Sequence, residues 1–373
     1  MKRRYFDYNA TAPPIDEVVL RCAEVLSQGA SNASSVHADG RRAKAMLEEA
    51  RRQVAETVKV PARELRFTSG ATESIHDFME GFLNEGDHVV VSPLEHPAVY
   101  GALERAKVHI TRCEVNREGV VNVDSIVSAL KPTTKLVVMM LAQNELGNIY
   151  PIREIVDAVS PIPVFMDAVQ GFGKVEINLP ELGVKGASFS GHKIGGISGC
   201  GALWHDPSLV LSSRTLGGPQ ESGGRGGTEN LLGIVAMGVA ASQVSTRIEY
   251  AQRHQVHRSL LESKLLTLPQ SEILGDVAHR LANTTLFRVS GVPGDLIVQW
   301  MDMEGFSIST GAACSSGSVE PSPTLLSMGL SHVEAGECVR ISMGPETRRD
   351  DVELLAERLV NRIHEFTSKR SSS

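Results

Sequence analysis

The stretch VFMDAVQGFGK, residues 164–174, runs an apolar segment into a single acidic residue, Asp167, with Gln170 three positions on. Such a segment reads as a buried strand that ends on a charge. A carboxylate buried at that point is costly unless a cation pairs with it. A later run, GASFSGHKIGG at 186–196, has the same form, with Ser190, His192 and Lys193 at its end, just ahead of a glycine pair. A lysine in that position is a charge that must be neutralised or exploited. Asp167 and Lys193 therefore belong together in any account of this chain.

The same pattern extends outward in both directions. ELRFTS, DHVVVSP, KLVVMMLA and IPVFMDA are short, nearly continuous apolar runs, and they alternate with segments of helical spacing such as DEVVLRCAEVLS and GRRAKAMLEEARRQVAETV. Continuous apolar strands interleaved with helices predict an α/β fold, a mainly parallel sheet covered on both faces. Ligands of such sheets sit at the carboxyl ends of the strands. One long helix is expected over 230–266. After it the pattern changes: RLANTTLFRVSG, GFSISTG and ECVRISMG read as strands of a smaller sheet, with GDLIVQWMDME and RDDVELLAERLVNRIHEF as helices. We expect a large domain over 14–250 and a smaller α+β domain from 251–373 joined by residues 1–13, with the SKRSSS tail disordered.

Composition limits the function classes. The chain has 373 residues, 42% hydrophobic and 22% charged, with a formal net charge of −7, which argues against a nucleic-acid footprint or a polybasic membrane patch. No apolar run reaches the length of a membrane span and the N-terminus has no signal-like apolar stretch, so a cytoplasmic location is expected. The five cysteines, Cys22, Cys113, Cys200, Cys314 and Cys338, are scattered and form no C-x-x-C pair. That argues against a disulfide framework and against a thiolate metal site.

The strand ends carry the chemistry. FTSGATES (67–74) offers a turn at Gly70, with Ser69 as the expected cap, opening into a helix whose first N–H groups form an anion site. Asp167, Lys193 and this SGAT turn are the three parts that pyridoxal phosphate (PLP) requires: a carboxylate for its pyridine nitrogen, a Schiff-base lysine and a phosphate cup. Ser190 and His192 supply further phosphate donors. A nicotinamide site is not expected, because no G-x-G-x-x-G follows the first strand.

At this point the sequence resembles the NifS/IscS-like cysteine desulfurases, a class V PLP group with the type I PLP-transferase fold. The resemblance is carried, in order along almost the whole chain, by YFDYNATAPP, NASSVHADGRRA, FTSGATES, EHPAV, QNELG, DAVQGFGK, SFSGHK, GGTEN, STGAACSSGS and VRISMG. It implies that Lys193 binds the cofactor covalently and moves protons, and that Asp167 pairs with the pyridinium nitrogen. His96 stacks on the ring and serves acid–base steps. Asn144 and Gln170 hydrogen-bond the cofactor's phenolate oxygen or the substrate. The phosphate cup comprises Ala71, Thr72, Ser190 and His192, with Thr228 reaching in from the second subunit of a homodimer. Arg340 holds the substrate carboxylate.

By the same resemblance Cys314, in a Gly/Ser loop, takes sulfur from L-cysteine as a persulfide and leaves L-alanine. The sulfur then passes to an acceptor protein, for iron–sulfur cluster assembly or thio-modification such as that of tRNA. An exposed cysteine in such a loop offers a thiolate an open approach. Alternatives within the class are a selenocysteine lyase or another class V lyase or aminotransferase. The chain departs from the common pattern at Ile75 and His76, where asparagines are frequent, and at Ser222, Gly226 and the IGGISGCGALW segment.

Overall fold

The computed structural model describes residues 3–29, 32–310 and 321–371. Its strands in chain order are β1 (Arg4–Tyr5), β2 (Leu65–Thr68), β3 (His88–Val91), β4 (His109–Arg112), β5 (Thr134–Met140) and β6 (Val164–Asp167). They continue with β7 (Gly186–Ser190), β8 (Gly201–His205), β9 (Ser271–Leu274), β10 (Thr284–Val289), β11 (Phe306–Ser307) and β12 (Cys338–Ser342). Seven of them form one sheet in the order β2-β8-β7-β6-β5-β3-β4, in which β8 alone runs against its neighbours.

The continuous apolar runs arise because both faces of this sheet are covered. Val89, Val91, Leu136, Val138, Phe165 and Leu203 pack in one cluster with Phe78 and Met79 of the helix Ala71–Phe82. The alternate residues Val90, Val137, Met139, Met166, Phe189 and Ala202 pack in another, with Val54 of the helix Ala38–Thr57 and Met237 of Leu231–Ser242. The period-2 alternation of a strand thus feeds two cores at once. Each fully buried Val, Leu or Phe side chain contributes roughly 1.5–3 kcal/mol.

The single long helix expected over 230–266 is three segments, Leu231–Ser242, Val244–Glu249 and Ala251–Leu265, with a 49° bend after the first. The reason is that one axis cannot serve two cores. Leu231–Ser242 is apolar on all sides and lies so close to Ala38–Thr57 that a Cβ on Gly238 would fall 2.6 Å from Ala50 Cα. Ala251–Leu265 instead places Leu261 and Leu265 in a separate cluster with Phe287, Val339, Leu355 and Leu359. That cluster lies between the antiparallel sheet β12-β10-β9 and the helices Gly294–Met303 and Arg349–Ser371. The last helix runs on to Ser371, into the tail expected to be disordered; Asp350 and Asp351 in its first turn favour it through the helix dipole.

The N-terminal segment connects the two cores. β1 pairs in parallel with β11, and Phe6 is buried in the second cluster against Phe306. A bridge between Asp7 and Ser342 then carries Asn9 and Ala10 to the carboxyl ends of β6 and β7.

Candidate active site

A cavity of about 430 Å³ opens where β5, β6 and β7 end. Asp167, the last residue of β6, forms part of its wall and is buried. Its Oδ1 accepts from the Val169 N–H at 3.0 Å and from the Ser188 hydroxyl at 3.1 Å. Burial raises its pKa; those two bonds and the electrostatic influence of His96 and Lys193 act the other way. A cation brought against this carboxylate would be favoured electrostatically.

Lys193 follows β7 on a single 3₁₀ turn, Gly191–Lys193, and its Nζ donates to the carbonyls of Asn9 and Ala10, each at 2.7 Å. Gln170 Nε2 donates to the same Asn9 carbonyl at 2.9 Å. Its Oε1 accepts from Lys174, a donor-only group, and this fixes which end of the amide is which. His96 caps the helix Pro97–Arg105, its Nδ1 accepting from the Ala98 N–H at 3.1 Å. The neutral ring therefore carries its proton on Nε2. Behind it Glu95 is buried with Oε1 on the Met140 N–H at 2.6 Å, and burial together with the charge of Asp167 pushes its carboxyl well above the usual range.

At the other end of the cavity stands the turn before the helix Ala71–Phe82. The helix cap is Gly70, not Ser69, and among the described residues no side chain caps the first turn's N–H groups. The Ser69 backbone N–H instead donates to Glu73 at 2.7 Å. A Cβ on Gly70 would meet open space, whereas one on Gly201, at the head of β8, would lie 2.5 Å from the Gly70 carbonyl carbon. Ala71, Thr72, Ser190 and His192 line this end. His192 bonds Thr11 at 3.1 Å, and burial, reinforced by Lys193, lowers its pKa to about 4, so it is a neutral donor.

Arg340, on β12, is 2% exposed. Its Nη2 pairs with Asp7 at 2.7 Å and its Nη1 donates to the Asn144 carbonyl at 3.1 Å, while its Nε has no partner among the described residues. Asn144 itself faces the cavity.

The structure thus brings Ala71, Thr72, His96, Asn144, Asp167, Gln170, Ser190, His192, Lys193 and Arg340 to one cavity. Thr228 does not line it; this residue is exposed on the loop before Leu231–Ser242. Cys314 lies outside the described residues. Ile75, where the resemblance leads one to expect asparagine, is buried and lines the cavity with an apolar surface. Sequence reasoning missed Asn9, which is 1% exposed and bonds Lys174, Lys193, Gln170, Asn144, Thr284 and Ser342. The YFDYNATAPP segment carried the signal, but nothing in the sequence says that it returns to the strand ends.

The donor set fits PLP. A helix N-terminus without a side-chain cap, plus Ser190 and a neutral His192, suits a phosphate. A buried carboxylate with a raised pKa suits a pyridinium, and a lysine whose Nζ donates to two backbone carbonyls at the cavity suits covalent attachment of the cofactor.

Comparison with known proteins agrees with this geometry. The family described as Aminotransferase class-V matches residues 4–355. Cysteine desulfurase IscS of Dictyoglomus turgidum is 33% identical, over 97% of this chain and 96% of its own. Among solved structures, a NifS-like protein superposes with a TM-score of 0.90 at 28% identity, covering 97% of this chain and 99% of that one. SspA, solved in complex with cysteine, gives a TM-score of 0.80 at 28% identity, over 92% of this chain and all of that one. The chain belongs to the PLP-dependent aminotransferase class-V family, in its NifS/IscS-like cysteine desulfurase branch.

Proposed function

We propose that this chain converts L-cysteine to L-alanine and carries the sulfur on Cys314. The observation that supports this best is the single cavity that gathers Asp167, Lys193, Gln170, Asn144 and Arg340 at the strand ends. When bound, PLP supplies an electron sink that makes the bonds around the substrate's α-carbon labile. Asp167 keeps the cofactor's ring nitrogen charged. Lys193, held by the Asn9 and Ala10 carbonyls, anchors the cofactor and later moves a proton at its Nζ. His96 offers an Nε2–H in this site, and Asn144 and Gln170 hydrogen-bond the cofactor's phenolate oxygen or the substrate. Arg340, a buried cation whose Nε has no partner among the described residues, holds the substrate carboxylate.

The transfer balances without any further reagent. The substrate's C–S bond breaks and an S–S bond forms to Cys314. The sulfur is oxidised by the two electrons that the carbon takes up, and the proton lost by the Cys314 thiol ends on the methyl group of alanine. An acceptor protein then removes the persulfide sulfur, for iron–sulfur cluster assembly or thio-modification. The reading includes a homodimer in which Thr228 completes the partner's phosphate cup; its exposure away from its own cavity supports this.

The test is to incubate the PLP-loaded protein with cysteine and a thiol reductant and measure alanine and sulfide together. Equal amounts are expected from the wild type and neither product from Cys314→Ala. Alanine formation that survives the substitution refutes the role of Cys314.

A further inference from the structure

Three consecutive residues, Gln143, Asn144 and Glu145, form the turn after β5, and each contacts something different. Asn144 faces the cavity, and its carbonyl holds Arg340 at 3.1 Å. Arg340 in turn pins Ser309 through two backbone bonds, Ser309 N to Arg340 O at 3.2 Å and Arg340 N to Ser309 O at 2.7 Å. Gln143 donates from Nε2 to Thr324 Oγ1 at 3.2 Å, while its Oε1 accepts from the Glu145 and Leu146 N–H groups. Glu145 Oε1 accepts from the Ser322 hydroxyl at 2.9 Å. That hydroxyl also caps the helix Pro323–Ser327, accepting from the Leu325 N–H. One turn therefore braces Ser309 upstream and Ser322 and Thr324 downstream of the segment to which Cys314 belongs, and also presents Asn144 to the cavity.

Glu145 is an unusual choice for a mere brace. It is 5% exposed, its Oε2 has no partner among the described residues, and no cation pairs with it directly. An isolated acid in such a place costs stability, so a core built for stability alone would hold an apolar side chain there. Burial lifts its carboxyl to about 7, against the opposing pull of Ser322, Arg340 and Thr324.

We propose that Glu145 is a positioning residue for sulfur transfer, which by holding Ser322 fixes the downstream root of the Cys314 segment to the turn that lines the cavity. The proposal rests on the reading of Cys314 as the sulfur carrier. It predicts a separation of steps. In the PLP-loaded enzyme, Glu145→Ala leaves the absorbance change that follows cysteine addition within about twofold of wild type. The same variant forms the persulfide on Cys314 about tenfold more slowly, followed by intact mass after rapid quenching.

Glu145→Gln restores the rate, because its amide oxygen accepts the same hydroxyl. Ser322→Ala reproduces the defect from the other partner and serves where Glu145→Ala fails to fold. Persulfide formation at the wild-type rate in both Glu145→Ala and Ser322→Ala overturns the proposal. So does an equal slowing of both steps, which would mean a structural role alone. Cys314→Ala, run alongside, reports separately on the underlying reading: alanine formation there defeats the sulfur-carrier role whatever Glu145 does.

Discussion

Replacing Asn9 with alanine tests how the cavity is held together, and its cost can be worked from the bonds. The side chain makes four: Oδ1 accepts from Lys174 Nζ at 2.8 Å and Asn283 Nδ2 at 3.3 Å, and Nδ2 donates to the Asn144 carbonyl at 3.1 Å and Thr284 Oγ1 at 2.9 Å. All four partners keep another bond, which in three of them satisfies the atom concerned. The Asn144 carbonyl retains Arg340, Thr284 retains Asn283, and Asn283 retains the Met343 carbonyl. Lys174 alone is left short, with Gln170 as its remaining partner in this network. Its pKa lies well below the usual lysine value, chiefly from burial and then from Lys193, Arg247 and Arg340. A buried donor that loses its acceptor costs about 1–3 kcal/mol, and because Lys174 is half-buried and keeps Gln170 we expect the low end, about 1 kcal/mol, for Asn9→Ala in denaturant unfolding of the loaded enzyme. The Asn9 carbonyl still serves Lys193 and Gln170, so kcat/KM should fall less than about tenfold. If Lys174 is the source of the cost, Asn9→Ala made in a Lys174→Met background should lose no more than about 0.5 kcal/mol. Equal losses in the two backgrounds would refute this reasoning.

Two further outcomes follow from groups around the cavity. Asp77 is buried, its Oδ2 without a partner among the described residues, and burial, then Glu73, raises its pKa to about 6 against the pull of Arg66 and Arg225. A carboxyl whose folded pKa is raised contributes stability that is fully present below its unfolded value, near 4, and is lost as pH rises through about 6. Asp77→Asn should therefore raise the melting temperature at pH 8 and lose that gain at pH 4; an equal gain at both would exclude titration of Asp77 as the cause. Gly201→Ala places a Cβ 2.5 Å from the Gly70 carbonyl carbon and 2.7 Å from the Phe189 carbonyl oxygen, so backbone must move at the head of the helix Ala71–Phe82. Absorbance titration should show PLP bound at least about tenfold more weakly, and unchanged affinity would mean that this turn does not form the phosphate cup.

Five of the seven strands of the large sheet were legible in the sequence because they are buried on both faces, which leaves continuous apolar runs that no amphipathic helix shares; β4, with exposed ends, and β8 were not read from it. Asp167 and Lys193 were legible for the same reason: a charge that closes such a run stands out. The three-segment form of 231–265 was not, since helical spacing persists across Gln243 and Tyr250 and only the existence of two cores forces the bend. The cap at Ala71–Phe82 was misread because Ser69 has the chemistry of a cap, but Gly70 takes the cap position and the Ser69 N–H turns to Glu73 instead. Asn9, Lys174 and Glu145 were invisible for a deeper reason. Their partners lie up to 333 positions away in sequence, and no local period reports such contacts.

Those long-range contacts explain why the site sits where it does. The carboxyl ends of β5, β6 and β7 supply Asn144, Asp167 and Lys193, but a parallel sheet alone leaves them open to water. Closure comes from the N-terminal segment, which first commits β1 and Phe6 to the second core and then lays Asn9 and Ala10 across the lysine. β12 adds Arg340 from the same core, tied to Asp7 of that segment and to the Asn144 carbonyl. The residues proposed to hold the substrate, Arg340, and to anchor the cofactor, Lys193, are thereby fixed to different cores and joined through Asn9 and Asn144. Packing in either core must then be transmitted to the distance between Lys193 and Arg340, the distance that a bound amino acid has to match.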